Sequence, residues 1–118
     1  MLFSKKPAPP DSSAGFTLDQ ITTLAIEHWR IATALGESAP APARHALRKI
    51  GDLLTSAGIE VQNLDGLPHD PGMSAQVIDR VPDPRATAGD VIIETLSPLV
   101  THHGQVIKRA EIVVGCAS

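Results

Sequence analysis

The spacing of the apolar residues changes at Gly58, and this change limits the folds that the 118-residue chain can adopt. Between residues 17 and 57, apolar side chains recur every three or four positions, which is the spacing of an amphipathic helix. After Gly58 they occur in short runs rich in Val and Ile, separated by Gly, Pro and Asp, which form turns. We therefore predict an α+β fold in which an α-hairpin precedes a small antiparallel β-domain.

End signals set the bounds of the two predicted helices. Thr17 begins a capping-box pattern, in which an N-terminal hydroxyl and a Gln three residues later satisfy each other's backbone N–H groups. Gly36 and Gly58 are placed to end the first and second helices, because glycine adopts the left-handed conformation of a helix C-terminus without strain. The pattern predicts helices over residues 17–35 and about 42–57, joined as an antiparallel pair.

The chain divides into three predicted parts. Pro, Ser and Gly dominate residues 1–15, which we expect to form a disordered tail. Residues 16–58 form the α-hairpin, and residues 59–118 form the β-domain. Within that domain we expect a bend from Pro98 to Gly104, with Val100 as a candidate for strand pairing. The predicted strands lie at 59–64, 76–81, 90–96 and 106–114.

Composition excludes several classes of partner and location. The formal net charge of −3 argues against nucleic acid as the main partner, because phosphate binding requires clustered Lys and Arg. We expect no membrane contact, since the sequence has no apolar run near the ~18 residues of a membrane span. Cys116 is the single cysteine and has no partner for an internal disulfide, which fits a reducing compartment. The N-terminus lacks the pattern of a secretory signal, so we expect a cytoplasmic protein.

No motif indicates catalysis, so we expect that the protein is not an enzyme. Phosphate-binding glycine loops are absent, and the histidines lack the spacing of metal ligands, so we expect no cofactor and no metal. The adjacent His102 and His103 would point to opposite sides of a strand. An alternative is a small hydrolase that uses His69, Asp70 or His102.

The flanking prolines favour a structural role for Asp70. Pro68 and Pro71 place Asp70 in a turn, where its carboxylate can accept backbone N–H groups. We predict that Gly72 and Met73 donate these two hydrogen bonds.

From Leu53 onward, four motifs resemble the GrpE family in order and spacing. Each motif alone is weak, and their succession over residues 53–114 gives the resemblance its specificity. They are Leu53-Leu54-Thr55-Ser56-Ala57-Gly58-Ile59-Glu60-Val61, Gly66-Leu67-Pro68-His69-Asp70-Pro71, Gly89-Asp90-Val91-Ile92-Ile93-Glu94-Thr95-Leu96 and Val106-Ile107-Lys108-Arg109-Ala110-Glu111-Ile112-Val113-Val114.

The resemblance implies a co-chaperone that promotes ADP release from a DnaK-type chaperone. In the family, loops and strands of the β-domain dock on the nucleotide-binding domain of the chaperone. The positions that match are Pro68 and Asp70 in the first loop and Lys108 in the last motif. Gln105 lies at a neighbouring position that is often basic in the family. No catalytic group is required.

The resemblance and the width of the apolar helix surface both predict a homodimer. Two isolated helices cannot hide this surface, and a four-helix bundle of two copies can. We expect residues 17–57 to supply the short bundle helices, without the long paired helix that precedes them in the family. The predicted interface residues are Ile21, Leu24, Ile31, Leu47, Ile50 and Leu54.

Some motif positions differ from the family pattern and favour a second interpretation. His69 replaces an apolar residue, Gln105 stands at the often-basic position, and Arg109 replaces a proline. These differences favour a non-enzymatic adaptor or assembly module of the same fold that has lost exchange activity.

Overall fold

A computed structural model describes residues 15–117, which form two α-helices followed by six strands. This order confirms the predicted α+β fold class. The predicted tail falls almost wholly on residues 1–14, which lie outside the described residues. The elements are α1 (Leu18–Leu35), a single 3₁₀ turn (Gly36–Ser38), α2 (Ala41–Ser56), β1 (Ile59–Gln62), β2 (Ala75–Pro82), β3 (Val91–Ser97), β4 (Leu99–His102), β5 (Gln105–Lys108) and β6 (Ala110–Cys116).

The helix ends match their sequence signals. Gln20 N–H donates to Thr17 Oγ1 over 3.1 Å, and Thr17 N–H donates to Gln20 Oε1 over 2.9 Å, which confirms the capping box. Gly36 follows α1 with a φ of 55°, in the range that favours glycine. No helix of the described residues is long and apolar enough to cross a membrane.

Gly58 joins the end of α2 to the tip of the β-domain. Its φ is 84°, and its carbonyl accepts a 2.8 Å hydrogen bond from His103 N–H. The His103 ring packs so closely on Gly58 that a Cβ atom there would overlap it. Only glycine therefore satisfies both the backbone conformation and the close contact.

One long bent hairpin organises the six strands. β3 continues into β4 at Pro98, and β5 continues into β6 at Arg109. Both arms of the hairpin therefore bend at the same level. The tip half, β4 and β5, joins β1 in an antiparallel sheet of order β1-β4-β5, called here the tip sheet. The base half, β3 and β6, joins β2 in a sheet of order β2-β6-β3, called the base sheet.

The base sheet differs from the expected wholly antiparallel arrangement. β2 pairs with β6 in parallel, while β3 pairs with β6 antiparallel. Residues 83–90 carry the chain from one side of β6 to the other, so β2 and β3 run in opposite directions on its two flanks. Periodicity in the sequence identifies strands but carries no information about their partners.

The predicted bend from Pro98 to Gly104 is a strand in its first half, and the pairing expected as a candidate at Val100 is present. Leu99–His102 forms β4, which pairs with both β1 and β5 and is the central strand of the tip sheet. Val100 in its middle is fully buried. Four residues between a proline and a glycine give too short a pattern to distinguish a strand from a bend.

Two apolar clusters hold the fold together. In the first, α1 and α2 pack on the tip sheet through the buried residues Ala25, Ile26, Leu54, Ile59 and Val100. In the second, residues 63–74, called here the docking loop, cover the base sheet with Leu64 and Met73. The other buried members of the second cluster are Ala75, Ile92, Ala110, Ile112 and Val114. The helices thus contact the tip half of the hairpin, and the docking loop contacts its base.

Candidate partner-binding surface

Backbone hydrogen bonds fix the docking loop along the outer edge of β3. Gly66 N–H donates to Ile92 O over 2.7 Å, and Ile92 N–H donates to Leu67 O over 2.8 Å. Further along, His69 N–H donates to Asp90 O over 3.0 Å, and Pro68 forms a bridge with Val91. The loop therefore presents Pro68 and Asp70 from a backbone that is held much as a strand would be.

The turn at Asp70 agrees with the prediction for one hydrogen bond and differs for the other. Gly72 N–H donates to Asp70 Oδ1 over 2.9 Å, as expected. Met73 N–H instead donates to the main-chain oxygen of Asp70, also over 2.9 Å. The carboxylate thus fixes the first half of the turn and the backbone closes the second half.

We expect Asp70→Ala to lower the free energy of unfolding by about 1 kcal/mol, as for a lost side-chain cap. The physical reason is that Gly72 N–H loses its acceptor while the turn remains in place. Asp65→Ala is the matched control, because Asp65 lies in the same loop and its carboxylate makes no hydrogen bond within residues 15–117. Thermal unfolding of the three proteins decides the point: equal melting of Asp70→Ala and the parent would contradict the structural role.

The other two predicted positions lie on β5, the outer strand of the tip sheet. Gln105 pairs with His102 next to a two-residue turn in which His103 and Gly104 have φ of 49° and 85°. Positive φ at both central residues is the requirement of a type I′ turn. At the far end of β5, Lys108 Nζ lies 3.6 Å from Glu111 Oε2.

Lys108 borders a cleft that the sequence did not indicate. The cleft, of about 420 Å³, lies between β5 and the first two turns of α1. Asp19 and Thr22 line its helix side, and Ile107 lines its strand side. Any partner that reaches Lys108 therefore also meets the beginning of α1.

The four predicted positions form two separate pairs. Pro68 lines a different cleft, of about 310 Å³, together with His69, Arg85 and Asp90. This cleft lies beside the base sheet, whereas Gln105 and Lys108 belong to the tip sheet. A single partner has to contact both ends of the bent hairpin to use all four positions.

The structure divides the predicted dimer residues into two groups. Leu54 is only 7% exposed, and Ile21 and Ile50 pack against the same cluster, so these three serve the contact between the helices and the tip sheet. Leu24 and Ile31 remain 40% and 49% exposed on α1. Leu47 is half-buried, and its carbonyl accepts a 2.6 Å hydrogen bond from His28 Nε2.

The histidines are arranged differently from the expectation. The rings of His102 and His103 lie 4.1 Å apart, because the left-handed backbone at His103 removes the alternation of a strand. Within residues 15–117, no group of three or more His, Cys, Asp or Glu side chains could hold a metal ion. His102 belongs to the tip sheet, and His69 and Asp70 belong to the docking loop, so the residues of the hydrolase alternative lie on different parts of the fold.

The strongest electrostatic feature lies between β2 and β3. Arg85 donates to the Asp83 carboxylate from Nη2 over 2.8 Å, from Nε over 3.0 Å and from its backbone N–H over 2.8 Å. The side-chain hydrogen bonds that Arg85 donates lower the pKa of Asp83 from 3.8 to about 2, and the same hydrogen bonds raise the pKa of Arg85. Asp83 also packs on Gly115 of β6, where a Cβ atom would approach Asp83 Cβ to 2.7 Å.

We expect Asp83→Asn to lower the unfolding temperature at neutral pH and to lose this effect in acid. A folded-state pKa below the ordinary value means that the carboxylate stabilises the fold fully above about pH 4. This stabilisation is lost as the pH falls through the folded-state pKa of about 2. Asn keeps one oxygen to accept from Arg85 but replaces the second acceptor by an amide NH2, so the change removes the charge and the hydrogen bond from Nη2. Melting curves at several pH values test this, and a difference from the parent that did not vary with pH would contradict it.

Comparison with known proteins gives no assignment. A scan against protein-family models finds no match to the chain, and a search of curated proteins finds no significant relative.

Proposed function

We propose that this chain is a GrpE-type nucleotide exchange factor that binds a DnaK-type chaperone and promotes release of its ADP. The observation that carries the proposal is how the four motifs divide between core and surface. Several of their apolar positions, among them Ile92, Ile112 and Val114, are fully buried. Of the positions that match partner contacts, Pro68 and Asp70 are exposed on the loop and Lys108 is half-buried on β5. Backbone hydrogen bonds hold both elements in place.

The proposed mechanism needs differential binding and no catalytic group. If the β-domain binds the open form of the chaperone more tightly than the closed form, the open population rises and ADP leaves faster. A 100-fold shift of that equilibrium corresponds to about 2.7 kcal/mol of preference. Linkage requires that bound ADP weakens the chaperone's affinity for the exchange factor by the same factor.

The decisive experiment is stopped-flow release of fluorescent ADP from a DnaK-type chaperone mixed with this protein. We expect the release rate to rise with protein concentration and to saturate. The matched control replaces this protein by an unrelated acidic protein of similar size. Unchanged release, together with no capture of the chaperone in a pull-down, would refute the exchange proposal and favour the adaptor alternative.

We propose that two copies associate through the exposed apolar stripe of α1. Leu24, Ile31 and Leu35 are spaced by seven and four residues, so they share one side of the helix, and each is at least 40% exposed. We expect Leu24→Asp to convert a dimer into a monomer of 12.4 kDa, because the charge would be buried in the bundle. Multi-angle light scattering at micromolar concentration measures this.

Thr33→Asp is the control for the dimer prediction. Thr33 is exposed on the side of α1 opposite Leu24, since nine residues correspond to about half a turn beyond two full turns. It should leave the mass at the dimer value. A parent protein that is already monomeric would count against the dimer.

A further inference from the structure

A cationic side of α2 has no role in the surfaces described above. Arg44, His45, Arg48 and Lys49 are all exposed within one and a half turns of the helix. The buried side of α2, marked by Leu54, faces the tip sheet and lies on the opposite side of the helix axis. We call Arg44, Arg48 and Lys49 the α2 cationic face; it is separate from both clefts next to the β-domain.

The charges of this face are not neutralised within the chain. The side chains of Arg48 and Lys49 have no hydrogen bond or ion pair with any residue of 15–117, and the Arg44 side chain donates only to the backbone oxygen of Ala39, over 3.1 Å. Asp52, one turn further along α2, forms no ion pair with them in this part of the chain. Among the other cationic side chains of residues 15–117, Arg30, Arg80, Arg85 and Lys108 have a carboxylate partner within 4 Å, and Arg109 donates to the backbone oxygen of Ala75.

The unpaired positive charges destabilise α2. Arg44 and Arg48 form a like-charged pair at i, i+4, a spacing at which like charges repel. The first turn of α2 contains no acidic residue to offset the positive end of the helix dipole. A side of a helix that only faced solvent would be more stable with acids and bases interspersed, so the unmatched charge indicates a negatively charged ligand.

We propose that the α2 cationic face binds a short acidic segment of a partner protein. Arg44 to Lys49 spans about 8 Å along the helix axis, which matches a few carboxylates and not an extended phosphate backbone. The two guanidinium groups suit carboxylates, which they can bind with two parallel hydrogen bonds. The net charge of −3 on the whole chain repels a long polyanion but affects a short acidic segment much less. This proposal stands independently of nucleotide exchange.

The test is a fluorescence-anisotropy titration of a labelled hexaglutamate peptide with the full chain. Hexaglutamine with the same label is the uncharged control, and a labelled single-stranded hexanucleotide tests nucleic acid. Arg48→Gln with Lys49→Gln removes two charges from the face. Arg30→Gln with Arg80→Gln removes the same net charge elsewhere, and circular dichroism verifies that both double variants remain folded.

We expect hexaglutamate to bind, with an affinity that falls steeply with added salt, whereas hexaglutamine does not bind. The Arg48/Lys49 double variant should lose about tenfold in affinity, because the carboxylates lose their charged partners, and the Arg30/Arg80 double variant should keep the parent affinity. Equal losses in the two double variants, equal binding of the two peptides, or tighter binding of the oligonucleotide would each overturn the proposal. A protein that does not bind hexaglutamate could still accelerate ADP release, so the two proposals are tested separately.

Discussion

Ile112→Ala is expected to lower the free energy of unfolding by about 2–5 kcal/mol, the range for truncating a buried aliphatic side chain. Ile112 is fully buried in β6, the central strand of the base sheet. It is paired with Val77 of β2 on one side and Thr95 of β3 on the other. A cavity at this point therefore removes contacts from all three strands and from the docking loop that covers them.

Chemical unfolding followed by circular dichroism measures this loss. The matched control is Val106→Ala, because Val106 lies in β5 and is 45% exposed. We expect the control to change the free energy of unfolding by less than about 0.5 kcal/mol. An Ile112→Ala protein that unfolds at the same denaturant concentration as the parent would mean that the base sheet is not a core of the fold.

Lys108→Glu is expected to reduce the association rate with a DnaK-type chaperone, the proposed partner, by about tenfold at low salt. The change reverses the charge at a position that matches a partner contact of the GrpE family. It also places a second carboxylate beside Glu111, which lies 3.6 Å from the present ammonium group. The melting temperature should change little, because an exposed ion pair contributes little to stability.

Stopped-flow binding at two salt concentrations tests this expectation. Arg30→Glu is a close control, since Arg30 is also exposed and also pairs with a glutamate three residues away, Glu27. The control should associate at the parent rate. An unchanged rate for Lys108→Glu at low salt would remove β5 from the proposed docking surface, even if exchange activity itself were present.

Local signals in the sequence predicted the helices well. The capping box at Thr17 and the glycines at 36 and 58 act through contacts within a few residues, so their meaning does not depend on the rest of the fold. The same holds for Asp70 and Gly72, which interact two residues apart. The prediction failed where partners are distant in sequence: the parallel pairing of β2 with β6, and β4 as the centre of the tip sheet.

The sequence offered candidate contact positions but not their arrangement. Pro68, Asp70 and Lys108 came from the motifs and Gln105 from a neighbouring position, and nothing in their spacing indicated that a bend in a hairpin would divide them. The approach of α1 to Lys108 depends on how the helices pack on the tip sheet, which arises from long-range burial of Ile26 and Val100. Helical periodicity alone likewise did not separate Leu54, which faces the chain's own sheet, from Leu24, which remains exposed.

The bent hairpin makes the proposed docking surface bivalent. The docking loop is bonded to β3 and Lys108 lies in β5, so one pair of strands, continuous through Pro98 and Arg109, carries both contact points. The distance between the two contact points is therefore set by two paired strands of one hairpin. Once a partner has bound at one contact point, the other contact point is present at a high effective concentration. Two individually weak contacts can in this way give a high-affinity complex that still dissociates stepwise, one contact at a time.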